Sequence, residues 1–244
     1  ISGPIYRIDL YSGKTQALSL SLSSCDALAA SNESLFILSN DIGTITELSF
    51  LDYSLKSTVD CPKGKKFNCM DIIGDAIAVA GGSSVWTKSG DKEWKETVLK
   101  DEKENMSILE ISFLEDGRVA YCAEYLYMAW EIDGVEYTDT RTCIGILDPD
   151  TGKNSMLGEE MYARTIYADG TSVFVVEGSV VKEYQADECS AVLYLREHPE
   201  GNALWELAPG NISSLRVTDR SVLVSSDSRS EVVIYPRKTE GQIR

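Results

Sequence analysis

A single histidine, His198, occurs among 244 residues, and that scarcity removes whole classes of chemistry. A Ser-His-Asp arrangement would depend on this one side chain, because nucleophilic catalysis needs a base within reach and a group to orient it. His198 also sits in a His-Pro-Glu-Gly string, which reads as a surface turn. No C-x-x-C pair occurs, so the usual zinc sites are not indicated and no metal is expected. No glycine-rich phosphate loop and no long amphipathic helix is evident, so nothing implies a nucleotide or any other cofactor. No apolar run approaches the roughly 18 to 20 residues that span a bilayer, so membrane insertion is not expected. Basic residues are scarce as well: 23 against 39 acidic ones leave a formal net charge of −16. Such a field repels phosphate backbones and anionic membranes, so no direct contact with nucleic acid is expected; a basic peptide or a basic face of another protein suits it better.

Six cysteines are present, and four of them, Cys25, Cys69, Cys122 and Cys143, stand in apolar, strand-like stretches where a free thiol behaves as a small buried hydrophobe. Disulfides are the alternative. Asn32, Asn105 and Asn211 open N-x-[ST] tripeptides, which keep a secreted location open beside the favoured intracellular one, cytoplasmic or nuclear. The chain opens on Ile1 without a signal-peptide pattern, and the expectation is processing or a longer parent. Asp148 and Asp150 suggest a calcium loop only superficially, since the terminal Glu and the spacing are missing; a type I turn is expected. Lys63 to Lys66 form the one small basic cluster, read as a solvated loop.

What the chain does have is a weak internal repeat. An apolar strand, a tight polar turn and a second apolar strand recur five times, with turns at Asn32, Gly74, Asp116, Gly170 and Asp219, at spacings of 42, 42, 54 and 49 residues. A period of roughly 40 to 50 residues with about four strands per unit is the trace of a β-propeller blade. The clearest unit reads CDALAA, SLFILS, TITELSF and SLKSTVDC between Cys25 and Cys61. Short Val, Ile, Leu, Thr and Phe runs are broken there by Gly, Asn and Asp, which is the grammar of strands and turns. The segment from about residue 5 to residue 20 reads as the outer hairpin of a further blade whose inner strands are missing or supplied elsewhere. The expectation is an all-β, single domain over residues 1–244: a propeller of four-stranded antiparallel blades, six in number, with an incomplete seven-bladed ring as the alternative.

Several of these stretches resemble WD40 repeats. DALAASNESLFILSNDIGTITEL is similar to the repeat core, with its Asp41-Ile42-Gly43-Thr44-Ile45 entry to a third strand. ILEISFLEDGRVAYCAE resembles the same portion, and SSVWTKSGDKEWKETVL resembles the outer hairpin. The likeness is degenerate, because no unit carries the Gly-His pair or ends its third strand in Trp-Asp, and one histidine cannot supply the repeated hydrogen-bond network of regular blades. The resemblance implies a propeller, without naming a subfamily.

An insertion in the third unit, roughly Tyr125 to Thr140, is the candidate functional surface. Large aromatics framed by carboxylates have the composition of binding hot spots, and loops beyond the minimal blade are where scaffolds place recognition. Tyr125, Tyr127, Trp130, Glu131 and Tyr137 are the expected partner-binding residues. The alternative is an extended hairpin around Asp133-Gly134 whose rings merely cover the blade edge. The function expected is that of a non-catalytic scaffold or adaptor subunit that binds other proteins, including a basic partner segment. An enzyme, hydrolase or lyase, using carboxylates at the central channel is the alternative.

Overall fold

The computed structural model describes residues 5–9, 12, 14–18, 20, 24–99, 105–163, 165–177, 180–185, 188–194, 212–217, 221–226 and 231–236. Every regular element among them is a β-strand. The chain divides into two compact units, Ile1–Asn68 and Cys69–Arg244.

In the first unit, β1 (Ile5–Ile8) and β2 (Thr15–Leu18) pair as an antiparallel hairpin. The strands β3 (Ala27–Ala30), β4 (Ser34–Ser39), β5 (Thr44–Ser49) and β6 (Leu55–Asp60) follow as a four-stranded meander in sequence order. Leu18, Leu35, Ile37 and Leu48 form the core that joins the hairpin to this meander. Asn40, just past β4, holds the Phe67 backbone with its side chain: its Nδ2 donates to the Phe67 carbonyl at 2.7 Å, and its Oδ1 accepts from the Phe67 amide at 2.9 Å.

The second unit repeats the plan. One sheet comprises β7 (Cys69–Ile73), β8 (Ala76–Gly81), β9 (Ser84–Ser89) and β10 (Lys95–Val98). The next comprises β11 (Ser107–Phe113), β12 (Val119–Ile132), β13 (Val135–Leu147) and β14 (Asn154–Met161). Then come β15 (Ile166–Asp169), β16 (Ser172–Glu177), β17 (Val180–Gln185) and β18 (Glu188–Tyr194), and a three-stranded sheet of β19 (Ile212–Val217), β20 (Ser221–Ser226) and β21 (Glu231–Pro236).

Apolar clusters lie between successive sheets. Ala78, Val85, Ile111, Tyr121 and Leu147 fill the space between the first and second sheets of this unit. Ala120, Ile144, Ile166 and Val175 fill the next, and Phe174, Val181, Leu215 and Val222 the third. Each middle sheet therefore buries both of its faces, so its second strand cannot alternate apolar with polar residues. That is why the start of β12 and nearly all of β16 read as near-continuous apolar runs, VAYCA and SVFVV. At 0.8 kcal/mol or so for each buried methylene, such face-to-face packing is the main source of cohesion.

In the third repeat the insertion takes the form of the extended hairpin around Asp133-Gly134 that the sequence offers: the two strands absorb it. β12 and β13 run 14 and 13 residues and meet at Asp133-Gly134. Both turn residues have positive φ, +53° and +78°, the conformation of a type I′ hairpin turn. The apolar stretch at 203–209 (ALWELAP) lies outside the described residues, as do the turn at Asp219 and His198.

Candidate functional site

The register of β12 and β13 builds the candidate surface. Tyr125 pairs with Arg141, Leu126 with Thr140, Met128 with Asp139, Trp130 with Tyr137, Glu131 with Glu136 and Ile132 with Val135. β11 reaches only to the level of Glu124, and β14 only to that of Thr142. Beyond those limits the two strands continue as a two-stranded ribbon. Residues directly opposite each other share a face. One face of the ribbon thus carries Met128, Trp130, Ile132, Val135 and Tyr137, all exposed large apolar side chains, with Asp139 opposite Met128 at its base. The other carries Ala129, Glu131, Glu136 and Thr138.

The apolar face continues the side of the sheet that packs against β7–β10. Val119, Tyr121, Ala123 and Tyr125 on β12 all belong to that packed cluster, and cover ends at Tyr125, which is only 4% exposed. Tyr125 is therefore a core residue, and the displayed aromatic set begins at Tyr127. Trp130 and Tyr137 are 41% and 43% exposed, with their rings nearly parallel at 13° and their centroids 6.0 Å apart. Such a pair holds its rings in place before anything binds.

At the base of the ribbon, Arg141 fixes the geometry. Its guanidinium lies 5.1 Å from the Tyr127 ring centroid and 4.1 Å from that of Tyr162. It also meets the Asp139 carboxylate at 2.8 Å. Tyr127 is the extra residue of a bulge between Leu126 and Met128, which explains how it leaves the ladder to reach Arg141.

Sequence reasoning placed Tyr127, Trp130, Glu131 and Tyr137 in this region, and the structure sets them all on the ribbon. Met128 lies in the same stretch; the reading missed that Met128, Ile132 and Val135 form one apolar face, and it missed Arg141 and Tyr162. The signal for the first three was available: counting outward in steps of two from the Asp133-Gly134 turn puts them on the face of Trp130 and Tyr137.

A second group of polar residues lies on the first strands of successive sheets. Asp71 on β7 accepts from the Phe113 amide of β11 at 2.7 Å and from the Ser112 hydroxyl at 3.1 Å. Ser112 in turn accepts from the Ala168 amide of β15 at 3.0 Å. Glu110 accepts from the Ile166 amide at 3.0 Å. These side chains tie each first strand to the next. Burial drives the Glu110 carboxyl up to about 7, against the opposing pull of the Ile166 amide and the Arg216 charge. The Asp71 carboxyl is likewise raised by burial, with the Phe113 amide pulling the other way. A raised carboxyl can act as a general acid, but here the named oxygens accept from the neighbouring strand's backbone. No group of three or more ligating side chains able to hold a metal occurs among the described residues.

A cleft of about 720 Å³ lies where Lys88, Lys92, Lys95, Arg118, Asp148 and Asp150 converge. Three of its four cations have partners close by: Lys88 Nζ donates to the Lys92 carbonyl, Lys95 Nζ donates to the Asp150 carbonyl at 2.9 Å, and Arg118 pairs with Asp116 at 2.8 Å. Asp148 accepts from the Asp150 amide and the Thr151 hydroxyl, so this segment is a self-bonded turn. The thiols of Cys25, Cys61, Cys69 and Cys122 are free; the side chain of Cys189 lies outside the described residues. Among the described residues no helix is long and apolar enough to cross a membrane.

No family model matches the chain, and no curated protein matches it. Solved structures do. The Neurospora crassa Pan2 WD40 domain is similar with a TM-score of 0.58 and 9% identity, over 97% of this chain and 70% of that one. Kuenenia stuttgartiensis hydrazine synthase gives 0.57 and 9%, over 96% and 89%. A chain of a nidogen/laminin complex gives 0.55 and 10%, over 78% and 72%. At these identities the likeness establishes fold alone: the chain is a β-propeller of four-stranded antiparallel sheets. Propellers serve both binding and catalysis, so function must be argued from the residues.

Proposed function

We propose that this chain is a degenerate WD40-like propeller acting as a non-catalytic scaffold or adaptor subunit, and that the β12–β13 ribbon is its recognition element. Tyr127, Trp130, Glu131 and Tyr137 are the contact residues, joined by Met128, Ile132 and Val135. The observation that carries this reading is the mostly apolar face held out beyond the four-stranded sheet, with Trp130 and Tyr137 at its centre. Contiguous exposed apolar surface on a charged protein marks interaction sites, and buried aromatic anchors dominate binding energy. The partner is another protein, and the net charge of −16 favours one that offers basic residues at the contact.

The test is capture. Tyr127→Ala with Trp130→Ala is expected to leave the melting profile of the chain nearly unchanged while abolishing recovery of the partner that co-purifies with the parent. Undiminished recovery would remove the ribbon from the account.

The raised carboxyls of Asp71 and Glu110 favour a second reading, that of a hydrolase or lyase working from the first strands. The hydrogen bonds from Phe113, Ser112 and Ile166 explain both carboxylates without a substrate, which is why the scaffold reading is preferred.

A further inference from the structure

Resting on the ribbon as recognition element, we infer that its partner binds by β-strand addition: an extended segment of alternating apolar and basic residues pairs with the open edge of β13 at residues 135–138. Three observations converge on this mode.

The first is the edge. Among the described residues no strand lies beside β13 before Thr142, where β14 ends at Met161. The pairing of Ile132 with Val135 across a two-residue turn makes them a hydrogen-bonded pair. Alternation then makes Trp130 with Tyr137 another, and leaves the backbone N–H and C=O of Glu136 and Thr138 directed outward. The β12 edge is less suited, because the bulge at Tyr127 breaks its line, and bulges blunt edges against pairing. An added strand on β13 would continue the row that β14 leaves.

The second is the division of faces. Successive residues of an added strand point to opposite faces. Over residues 135–138 they would meet Val135, Tyr137 and the Trp130 ring behind them on one face, and Glu136, Glu131 and Thr138 on the other; Asp139, which shares the first face, lies beyond this stretch. Apolar residues suit the first and cations the second, so the ribbon selects for alternation rather than for composition alone.

The third is an unrelieved charge. Glu131 and Glu136 stand directly opposite in a pair of the kind whose Cα atoms approach to about 4.5 Å, and like charges so placed weaken a ladder. Between Glu124 and Arg141 there are five carboxylates and one cation. That cation, Arg141, is engaged by Asp139 and two tyrosine rings. A Lys or Arg from an incoming strand supplies what the ribbon lacks. The same acid pair argues against a second copy of this chain as occupant, since edge-to-edge ribbons would bring further glutamates together on a chain already at −16.

The probe is an acetylated twelve-residue peptide of alternating valine and lysine, titrated into the isotopically labelled full chain and followed by amide resonances and hydrogen exchange. The expected result is slowed exchange at Glu136 and Thr138, with binding weakened about tenfold or more by each of three changes. These are Glu131→Gln with Glu136→Gln, N-methylation of the peptide's pairing amides, and rearrangement of the same residues into a valine block and a lysine block. Trp130→Ala should also weaken it. If the N-methylated or block peptide binds as well as the alternating one, while Trp130→Ala abolishes binding, strand addition is overturned and the ribbon's role stands. If neither the ribbon variants nor N-methylation alters binding, both fall. Failure of the alternating peptide to bind, or sedimentation showing a dimer that dissociates on Trp130→Ala, overturns the assigned partner chemistry.

Discussion

Glu110→Gln offers a sharp test of the ties between first strands. Glu110 is buried and accepts the Ile166 amide from the next sheet, and its carboxyl is raised from 4.5 to about 7. The sign of the consequence follows from proton binding. Between the unfolded and folded values the folded chain holds the proton that the unfolded chain has lost, so stability falls as pH rises through this window. A difference of about 2.5 units corresponds to about 3 kcal/mol, most of it lost between pH 5 and pH 7. Glutamine keeps an acceptor for Ile166 and cannot ionise. At pH 8 the variant should therefore be more stable than the parent by about 2 to 3 kcal/mol, which is roughly 5 to 10 °C in melting temperature for a unit of this size. Near pH 4.5 the two should differ little. Denaturant unfolding of both proteins at several pH values between 4.5 and 8 measures this directly; the difference between them also contains the coupling of Glu110 to the Asp71 charge. A stability difference that is flat with pH, or a parent that gains on the variant as pH rises, would refute the placement of Glu110 in a buried inter-sheet contact.

Two further substitutions probe the packing. A Cβ at Gly145 would stand 2.6 Å from Tyr121 Oη and 2.8 Å from the Ser155 carbonyl, and Tyr121 is anchored by donating to Asn154 Oδ1 at 2.9 Å. Gly145→Ala should cost about 1 to 3 kcal/mol by denaturant unfolding, and a neutral effect would mean that β13 and β14 pack more loosely than described. Ile111 lies in the cluster between β7–β10 and β11–β14, so Ile111→Lys should lower the melting temperature by 10 °C or more through an unpaired buried charge. A melt matching the parent would place that side chain elsewhere.

The repeat was legible because each blade writes itself locally. Gly74 at +57° and Gly170 at +58° mark tight turns between first and second strands, and the turn-strand grammar of residues 27–60 survives unchanged in β3–β6. What the sequence could not report is which sheet covers which face. Tyr125 and Tyr127 have the same chemistry, two residues apart, yet the cover supplied by β7–β10 ends between them. Alternation alone would have put both on one face, and the bulge at Tyr127 changes that count. Asp71, Glu110 and Ser112 were equally hidden. In a half-buried strand a polar residue reads as solvent-facing, and only the approach of the next first strand turns it into a buried acceptor.

The register also supplies the most direct test of the ribbon's role. Because Leu126 faces Thr140, residues 127–139 can be removed and the ends joined through an Asn-Gly turn, shortening β12 and β13 to the length their neighbours cover. Partners recovered with the parent and with the shortened chain are then compared by mass spectrometry, alongside their melting temperatures. The account predicts a melt within a few degrees of the parent and complete loss of the parent's partner. Retention of that partner by the shortened chain would contradict it, and so would a collapse in stability that showed the ribbon to be part of the core.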